Sequence, residues 1–421
     1  MDDTSARKLH EQAARGQAAS AGMRTPWGLL MLLMAMTAIG PTSLNIIVPA
    51  VPRLAAALAT DSSAVQLTVS LYLVGLATAQ LVVGPLADRV GRRPVALAGL
   101  ALTALASLMA IAAASVTSLI LARILQAVGA AAGIVVSRAI IRDLFDKDRA
   151  ASTLGLVATV MAVAPTIGPL IGGVLDTAFG WESVFVFMVC VGLAVLGWAA
   201  TTLPETRGLN VHPGETTGLR FDLGALAASA SFWGYILAAA LGSATFFAFL
   251  GGGPYVVVNI LGHTSAEYGV WFALSSIGYI AGNFTASRLA LRYGTDALIW
   301  WGIAIELVGV AASVAMTAWA PHWGLIIVFL PQAVISFGNG VLLPNAIAGA
   351  VSVRPQAAGA AAGIVGFAQM ALGAATTQFA GYTLAQASSA LPLSIIMSVI
   401  AVACAVAFGA LVTVRRGPQS S

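Results

Sequence analysis

The chain has 421 residues, of which 59% are hydrophobic and only 9% are charged, and its formal net charge is +4. A soluble domain usually carries about 25% charged residues, so this composition could not keep a protein surface solvated in water. An ordinary soluble fold is therefore excluded, and the composition indicates a protein whose solvent is the lipid bilayer.

Apolar segments long enough to cross a bilayer fill most of the chain, because a spanning helix needs about 20 apolar residues. We predict twelve spans: 27–50, 64–86, 94–114, 118–140, 150–175, 182–203, 231–259, 266–288, 297–318, 323–348, 356–384 and 390–414. The sequence thus predicts an all-α membrane protein with twelve transmembrane helices.

The connections divide these spans into two groups of six, because the longest polar connection, 204–222, follows the sixth span. We expect five regions: a disordered cytoplasmic tail (1–24), a six-helix half (25–203), a central cytoplasmic loop (204–222), a second six-helix half (223–414) and a cytoplasmic tail (415–421).

Basic residues alternate from one connection to the next, and Lys and Arg accumulate on the cytoplasmic side of membrane proteins. Eighteen of the twenty lie in the two tails or near the connections that follow spans 2, 4, 6, 8 and 10. Of the other two, Arg53 falls in a predicted outer connection and Arg123 falls inside span 4. This pattern predicts an even number of spans with both termini in the cytoplasm.

The connection between spans 2 and 3 is short and basic. Residues 84–95 read Gly-Pro-Leu-Ala-Asp-Arg-Val-Gly-Arg-Arg-Pro-Val. Residues 282–294, after span 8, repeat the arginines and glycines of this motif but lack its aspartate. Two six-helix halves related by an axis along the membrane normal are typical of transporters that bind substrate between the halves.

Two ionisable residues fall well inside predicted spans, where a charge costs about 2.5–3.5 kcal/mol even on insertion scales. Arg123 lies near the outer end of span 4, and Gln126 shares its helix face at a spacing of three. Arg123 is either an electrostatic anchor in a polar cavity or an arginine that extends to the outer headgroups. Glu306 lies in the middle of span 9, where desolvation favours the neutral acid. It is either a proton carrier or a carboxyl hydrogen-bonded locally between helices.

No chemistry other than transport is indicated by the remaining polar residues. We find no phosphate-binding loop, no zinc motif and no nucleophile elbow, so we expect neither an enzyme nor a cofactor nor a metal site. Both cysteines fall inside spans and the four histidines fall outside them: Cys190, Cys404, His10, His212, His263 and His322.

Four groups of residues resemble the drug/proton antiporters of the major facilitator superfamily, in particular the Bcr/CflA subgroup of bacterial multidrug exporters. The resemblance covers nearly the whole chain. The segments that carry it are 66–75 with 84–94, 122–129 with 137–143, 164–173 with 180–181, and Leu203-Pro-Glu-Thr-Arg at 203–207.

This resemblance implies a set of gating residues. Asp88 would latch the two halves at the cytoplasmic side, against the positive end of the span 11 dipole. The prolines of span 5 would bend the helix, since proline removes a helix hydrogen bond. The full gating set is Asp88, Arg89, Arg92, Arg93, Pro165, Gly168, Pro169, Gly172 and Gly173.

The resemblance also implies that spans 1, 4, 7 and 10 line a central cavity. Aromatic walls with a few polar groups suit a moderately apolar ligand of drug size. The cavity candidates are Asn45, Arg123, Gln126, Phe246, Phe249, Tyr255, Gln332 and Asn339.

The chain departs from the subgroup at the end of span 1. There the subgroup has an aspartate that serves as a proton and cation site, whereas this chain has Asn45. An amide takes up no proton near neutral pH, so coupling through span 1 is in question. Glu306 is the alternative coupling residue, although span 9 is peripheral in the family fold.

We therefore expect a monomeric efflux transporter of the bacterial inner membrane that exports small amphiphilic drugs by alternating access, coupled to protons. Its partners would be a small-molecule substrate, protons and lipid, and not nucleic acid. A dedicated exporter or facilitator of one metabolite is an alternative, and a membrane sensor without transport activity is another.

Overall fold

The structure is a computed structural model that describes residues 27–145, 147–207, 226, 228–354 and 357–413. The predicted tails and residues 208–222 of the predicted central loop lie outside the described residues. Twelve long helices follow in the order of the predicted spans: α1 (Trp27–Ile46), α2 (Ser62–Val90), α3 (Arg92–Ile111), α4 (Val116–Leu144), α5 (Lys147–Phe179), α6 (Glu182–Thr202), α7 (Ala230–Tyr255), α8 (Ser265–Tyr293), α9 (Thr295–Trp319), α10 (Ile326–Ser352), α11 (Ala358–Leu384) and α12 (Leu391–Phe408).

The predicted all-α architecture is confirmed, since the described residues contain twelve long helices and no strand. Ten of these helices are long and apolar enough to cross a membrane by length and composition. The other two are α5 and α8, and α8 carries Glu267, Arg288 and Arg292 at its ends.

The arginine motif between α2 and α3 forms almost no loop, contrary to the predicted connection. Helix α2 continues to Val90 and α3 begins at Arg92, so Gly91 alone separates them. Gly91 has a φ of +121°, a conformation that glycine adopts without the penalty that a side chain would bring. The motif is therefore a sharp helix–helix corner that projects its arginines from two helix ends.

The end of α1 also differs from the prediction. The chain continues through a short 3₁₀ turn (Val48–Ala50) and a seven-residue helix (Val51–Ala57). Each begins with a proline in its first two positions, Pro49 and Pro52, where a missing N–H costs nothing. Arg53, expected in a loop, is therefore held on a short helix above α1.

Within each half, helices pack where small residues let backbones approach. In the first half α4 packs against α1, α2 and α3, and α1 also packs against α5 and α6. In the second half α10 packs against α7, α8 and α9, and α7 also packs against α11 and α12. Gly133 of α4 illustrates the closeness, because a Cβ built there would lie 2.5 Å from the Met36 carbonyl oxygen of α1.

The two halves meet mainly through two helix pairs, α2 with α11 and α5 with α8, with smaller contacts from the 3₁₀ turn and the short helix that follow α1. Hydrogen bonds between the halves lie near one end of the bundle, which we call the sealed end and define by Pro49, Thr177, Ser265 and Ala266. These bonds are Gln378 Nε2 to Ser63 O (2.9 Å), Ser265 Oγ to Pro49 O (2.9 Å) and Ala266 N to Thr177 Oγ1 (3.0 Å).

The opposite end, which we call the arginine-rich end, contains Asp88, Arg89, Arg92 and Arg93. The Asp88 side chain is 61% exposed there. On the facing half, a Cβ built at Gly363 or Gly366 of α11 would meet no atom within 4 Å. The two ends of the bundle therefore differ, with close packing between the halves at one and open space beside α11 at the other.

The close contact at Gly133 predicts a stability difference between two glycine-to-alanine substitutions. Gly133→Ala should lower the free energy of unfolding by about 1–3 kcal/mol, because the new methyl group must push α1 and α4 apart. Gly197→Ala in exposed α6, where a Cβ would meet nothing within 4 Å, should be neutral or stabilise by up to about 1 kcal/mol. Thermal unfolding of the two purified variants in detergent tests this, and equal stability would contradict the contact.

Candidate functional site

Arg123 of α4 is fixed inside the first half by neutral groups. Its side chain is only 1% exposed. Nη1 donates to the Gln126 side-chain oxygen, and Nε donates to the Thr68 carbonyl oxygen at 3.4 Å. The guanidinium carbon lies 4.3 Å above the centre of the Tyr72 ring, a cation–π contact. The described contacts of this cation are therefore with neutral groups, and its Nη2 has no hydrogen-bond partner.

Further bonds tie this arginine cluster to the surrounding helices. Gln126 Nε2 donates to Ser107 Oγ of α3 at 2.7 Å, and the Tyr72 hydroxyl donates to the Gly40 carbonyl oxygen of α1 at 3.0 Å. Helices α1 to α4 thus all contribute to the position of one positive charge. The i, i+3 pairing of Arg123 with Gln126 that the sequence predicted is present as a direct hydrogen bond.

Asn45 does not bond to Arg123. Its amide Nδ2 donates to the Pro41 carbonyl oxygen of its own helix at 2.8 Å, and its buried Oδ1 has no partner. Its side chain packs on α5, since a Cβ built at Gly168 would lie 3.0 Å from the Asn45 Cβ. Asn45 therefore forms part of the contact between α1 and α5.

Glu306 of α9 is fully buried, and its carboxyl reaches helices α7 and α10. Thr245 Oγ1 lies 3.4 Å from Glu306 Oε1, and Asn339 Nδ2 donates to Thr245 Oγ1 at 3.0 Å. The second carboxyl oxygen of Glu306 and the Asn339 Oδ1 both lack a partner. Although α9 packs mainly against α10 and α12, its one acidic side chain near the middle points toward two helices predicted to line the cavity.

The predicted aromatic residues form a wall between α7, α8 and α10. Phe249 is buried, and its ring centre lies 6.4 Å from that of Tyr268, 6.2 Å from that of Phe272 and 5.8 Å from that of Phe329. Phe246 joins the wall at 6.2 Å from Phe272. The sequence did not single out the α8 and α10 members, because aromatic residues are common in apolar helices.

Two further cavity candidates make separate contacts. The Tyr255 hydroxyl donates to the Ala385 carbonyl oxygen at 3.4 Å, next to the end of α11, and Gln332 Nε2 donates to Ser336 Oγ of its own helix at 3.4 Å. The eight predicted cavity residues therefore do not form one cluster but belong to several separate groups of contacts. Arg123 joins Gln126, Asn339 lies beside Glu306, and the phenylalanines form the aromatic wall.

At the arginine-rich end, Arg92 holds two helix ends together. It bonds to Asp88 of α2 through Nη1, and its Nε lies 3.1 Å from Asp143 Oδ2 of α4. Asp143 also accepts a hydrogen bond from Thr206 at 2.9 Å. Arg89, in contrast, is exposed on the surface.

Glu205 caps the first turn of α3. Its carboxylate accepts the backbone N–H groups of Arg92 (2.9 Å), Arg93 (3.1 Å) and Arg207 (2.9 Å). Slight burial alone would raise the pKa of Glu205, but these donors hold its pKa below the usual range. The sequence contains Glu205 in the motif Leu203-Pro-Glu-Thr-Arg but gives no sign of this capping role, because a contact over more than 100 residues leaves no local signal.

The glycines predicted to act in gating face two different helices. Gly168 and Gly172 lie against α1, and a Cβ at Gly172 would collide with the Ile46 carbonyl oxygen. Gly173 lies against the second half, and a Cβ there would collide with the Ser265 carbonyl oxygen of α8. Helix α5 is therefore wedged between the end of α1 and the start of α8.

The predicted prolines of α5 lie inside a continuous helix. Pro165 and Pro169 both fall within Lys147–Phe179. The carbonyl oxygen of Pro169 is the atom that a Cβ at Gly269 of α8 would strike. Pro169 thus extends the close contact between α5 and α8 by one more turn.

Within the part of the chain that the structure describes, no group of three or more His, Cys, Asp or Glu side chains is placed to hold a metal ion, and Cys190 and Cys404 are free thiols. His10 and His212 lie outside the described residues.

Comparison with known proteins identifies relatives over most of the chain. Residues 31–377 match the model of the Major Facilitator Superfamily. The chain is 30% identical over 395 residues to an uncharacterized MFS-type transporter, YdgK, of Bacillus subtilis (strain 168), covering 93% of this chain and 97% of that one. It is 32% identical over 342 residues to Multidrug resistance protein D of Escherichia coli (strain K12), covering 80% and 84%.

Among solved structures, the chain is similar to a bacterial homologue of the human lysosomal transporter Spinster, in an inward-facing and unoccupied conformation. The TM-score is 0.74 at 15% sequence identity, over 94% of this chain and 100% of that one. At this level of identity the likeness establishes the fold.

The bond between Arg123 and Gln126 predicts different effects for two substitutions of Gln126. Gln126→Leu removes the acceptor of a buried cation and should lower the free energy of unfolding by about 1–3 kcal/mol or more. Gln126→Glu keeps an acceptor oxygen at the same distance and should cost less. Thermal unfolding in detergent compares the two, and a Gln126→Leu variant as stable as Gln126→Glu would contradict the role of this bond.

Proposed function

The chain belongs to the Major Facilitator Superfamily and is a multi-pass membrane transporter rather than an enzyme, and from this membership we propose that it exports small amphiphilic drugs or toxic compounds. The superfamily resemblance predicted from the motifs is thereby confirmed. Export of drugs is supported by the similarity to Multidrug resistance protein D, with which the chain aligns over four-fifths of its length.

The transport cycle that we propose is alternating access between the two six-helix halves. The observation that carries it is the difference between the ends of the bundle. The start of α8 packs backbone to backbone on α5 at the sealed end, while Asp88 is mostly exposed at the arginine-rich end. Because arginine-rich connections are retained in the cytoplasm, the proposed state is inward-facing. The proposed location is the bacterial inner membrane, with both termini in the cytoplasm and a monomer as the working unit.

The proposed substrate site lies between the arginine cluster of the first half and the aromatic wall of the second. Arg123 offers its unpaired Nη2 as a hydrogen-bond donor and Gln126 holds Arg123 in position, while Phe246 and Phe249 offer apolar surface. A site of this kind suits a moderately apolar ligand with one or two polar groups. Gln332, Asn339 and Tyr255 belong to the same proposal as polar groups of the second half.

The proposed gating motion uses the residues at the two ends. When the arginine-rich end closes, exposed Asp88 would meet the N-terminus of α11, where the helix dipole favours a negative charge. Arg89, Arg92 and Arg93 would add charge pairs there. At the sealed end, Gly173 supplies the smooth contact with α8 that must separate for opening, and Gly168 and Gly172 let α5 pack closely on α1 within the first half. Pro165 and Pro169 shape the same helix.

The proposed coupling residue is Glu306, because Asn45 cannot carry a proton. The Asn339 side chain lies beside the Glu306 carboxyl. Glu306 Oε2 and Asn339 Oδ1 are both acceptors that lack a donor. A proton on Glu306 would supply the missing donor. Without it, each unpaired acceptor is destabilising by several kcal/mol, because a buried polar group loses its hydrogen bonds to water. Release of that proton would leave a negatively charged Glu306 carboxylate buried beside α7 and α10. Because a buried charge is destabilising, loss of the proton would favour a rearrangement of these two helices.

Substitution of Arg123 tests the proposed cavity. Arg123→Ala should reduce drug flux in reconstituted vesicles to near background, because the central cation and its hydrogen bonds are lost. Arg123→Lys, which keeps the charge, should retain part of the flux. Membrane abundance of both variants serves as the control for folding. Wild-type flux in Arg123→Ala at normal abundance would rule out the cavity assignment.

Proton exchange is tested in everted membrane vesicles loaded with a pH-sensitive dye. Addition of drug to acidified wild-type vesicles should release protons and restore fluorescence, whereas Glu306→Gln should bind drug without this response. An undiminished response in Glu306→Gln would assign coupling to another group. Drug flux without any proton response in the wild type would contradict proton antiport but not drug transport. Flux of one metabolite alone would favour a dedicated exporter or facilitator.

A further inference from the structure

The sealed end contains an acidic residue that none of the gating motifs includes. We propose that Asp176 is the latch of this end, whose buried carboxylate, held by Arg53, keeps the start of α8 against α5. The inference rests on the proposed alternating-access cycle and assigns the residue that stabilises one of its two states.

One face of α5 is in contact with α8 along three turns. The backbone of Pro169 contacts Gly269, the backbone at Gly173 contacts Ser265, and Thr177 Oγ1 accepts the N–H of Ala266 at 3.0 Å. Asp176 lies three residues after Gly173 and next to Thr177, so it belongs to this face. Its side chain is 0% exposed, although Asp176 is near the end of the helix.

The carboxylate of Asp176 lacks conventional hydrogen bonds. Neither of its oxygens has a hydrogen-bond partner among the described residues. Arg53 Nε lies 3.6 Å from Oδ2, and Arg53 Nη1 donates to the Asp176 backbone carbonyl at 2.7 Å. Ser265 lies beside the carboxylate and Glu182 is the neighbouring acid. The electrostatic partners of Asp176 are therefore Arg53 on its own half and the beginning of α8 on the other half.

The beginning of α8 is suited to a negative charge. Helix N-termini carry a partial positive charge and unpaired N–H groups, which attract anions. The cap of α8 is already provided by Thr264, whose hydroxyl accepts the Glu267 N–H at 3.2 Å. Glu267 in the first turn already places one negative group at this helix end, and the Asp176 carboxylate adds a second from the opposite half. Its charge therefore stabilises the contact between the halves and not α8 alone.

The arrangement at the sealed end parallels the one proposed for the arginine-rich end. Asp88, near the end of α2, is proposed to meet the N-terminus of α11, and Asp176, near the end of α5, lies at the N-terminus of α8. The pairs α2–α11 and α5–α8 are the two main helix pairs through which the halves meet. In this structure Asp88 is exposed and Asp176 is buried, so one latch is released while the other is engaged.

Thiol cross-linking across the sealed end tests the latch without any substrate. Ala56 and Asn259 are exposed residues of the two halves that line one surface groove at this end. Both are replaced by cysteine in a chain whose Cys190 and Cys404 are changed to alanine, and a bifunctional maleimide is added to membranes. Asp176→Asn, which removes the charge and keeps the shape, should lower the cross-linked to uncross-linked ratio by about two- to thirtyfold, the range for one lost charge–dipole contact.

Matched variants separate the latch from other effects. Glu182→Gln makes the same chemical change on the neighbouring acid and should leave cross-linking unchanged. If Asp176→Asn fails to accumulate, Arg53→Gln removes the partner of the latch and should lower the ratio in the same direction. Unchanged or increased cross-linking in the variant that accumulates would overturn the proposal. Drug flux by the wild type is measured separately, so a failure of the export proposal is distinguishable from a failure of the latch.

Discussion

The contact of α5 with α1 on one side and with α8 on the other is made largely through backbone atoms, because Gly172 and Gly173 bring the backbone of α5 directly against the backbones of α1 and α8. Such contacts are held by close packing and not by a hydrophobic driving force, since lipid tails are as apolar as a leucine side chain. The contact of α5 with α8, which joins the two halves, therefore forms and separates without breaking an interlocked side-chain core. The sealed end is thus closed by a surface that is able to open, and the difference between the two ends depends on it.

Each half also holds an ionisable side chain inside the apolar bundle. In the first half, Arg123 is held by neutral acceptors, so its positive charge is not cancelled within its cluster. In the second half, Glu306 shares Thr245 and Asn339 with the two helices that face the centre. Each half thus carries at least one buried ionisable group with an unused polar atom. Unused buried polar atoms are costly, and they are expected where a ligand or a proton binds.

The sequence was sufficient to predict the parts of the structure that depend on local pattern. Twelve spans follow from hydrophobic length, and Arg123 and Gln126 were placed on one face by their spacing of three. The corner at Gly91 was predicted as a loop, because the apolar pattern stops before the helix does. The pairing of Arg53 with Asp176, separated by more than 100 residues, could not be predicted, and neither could the face of α9 that Glu306 occupies. Both depend on how the helices are arranged, which one sequence does not encode locally.

The central claim is that the two ends of the bundle open in alternation, and distances across both ends measured in one preparation test it most directly. Spin labels at Ala56 and Asn259 report on the sealed end, and labels at Val90 and Ser352 report on the arginine-rich end. Electron paramagnetic resonance distances in lipid nanodiscs, with and without an exported drug, should change in opposite directions, one lengthening as the other shortens. Distances that stay fixed at both ends, or that lengthen together, would contradict alternating access.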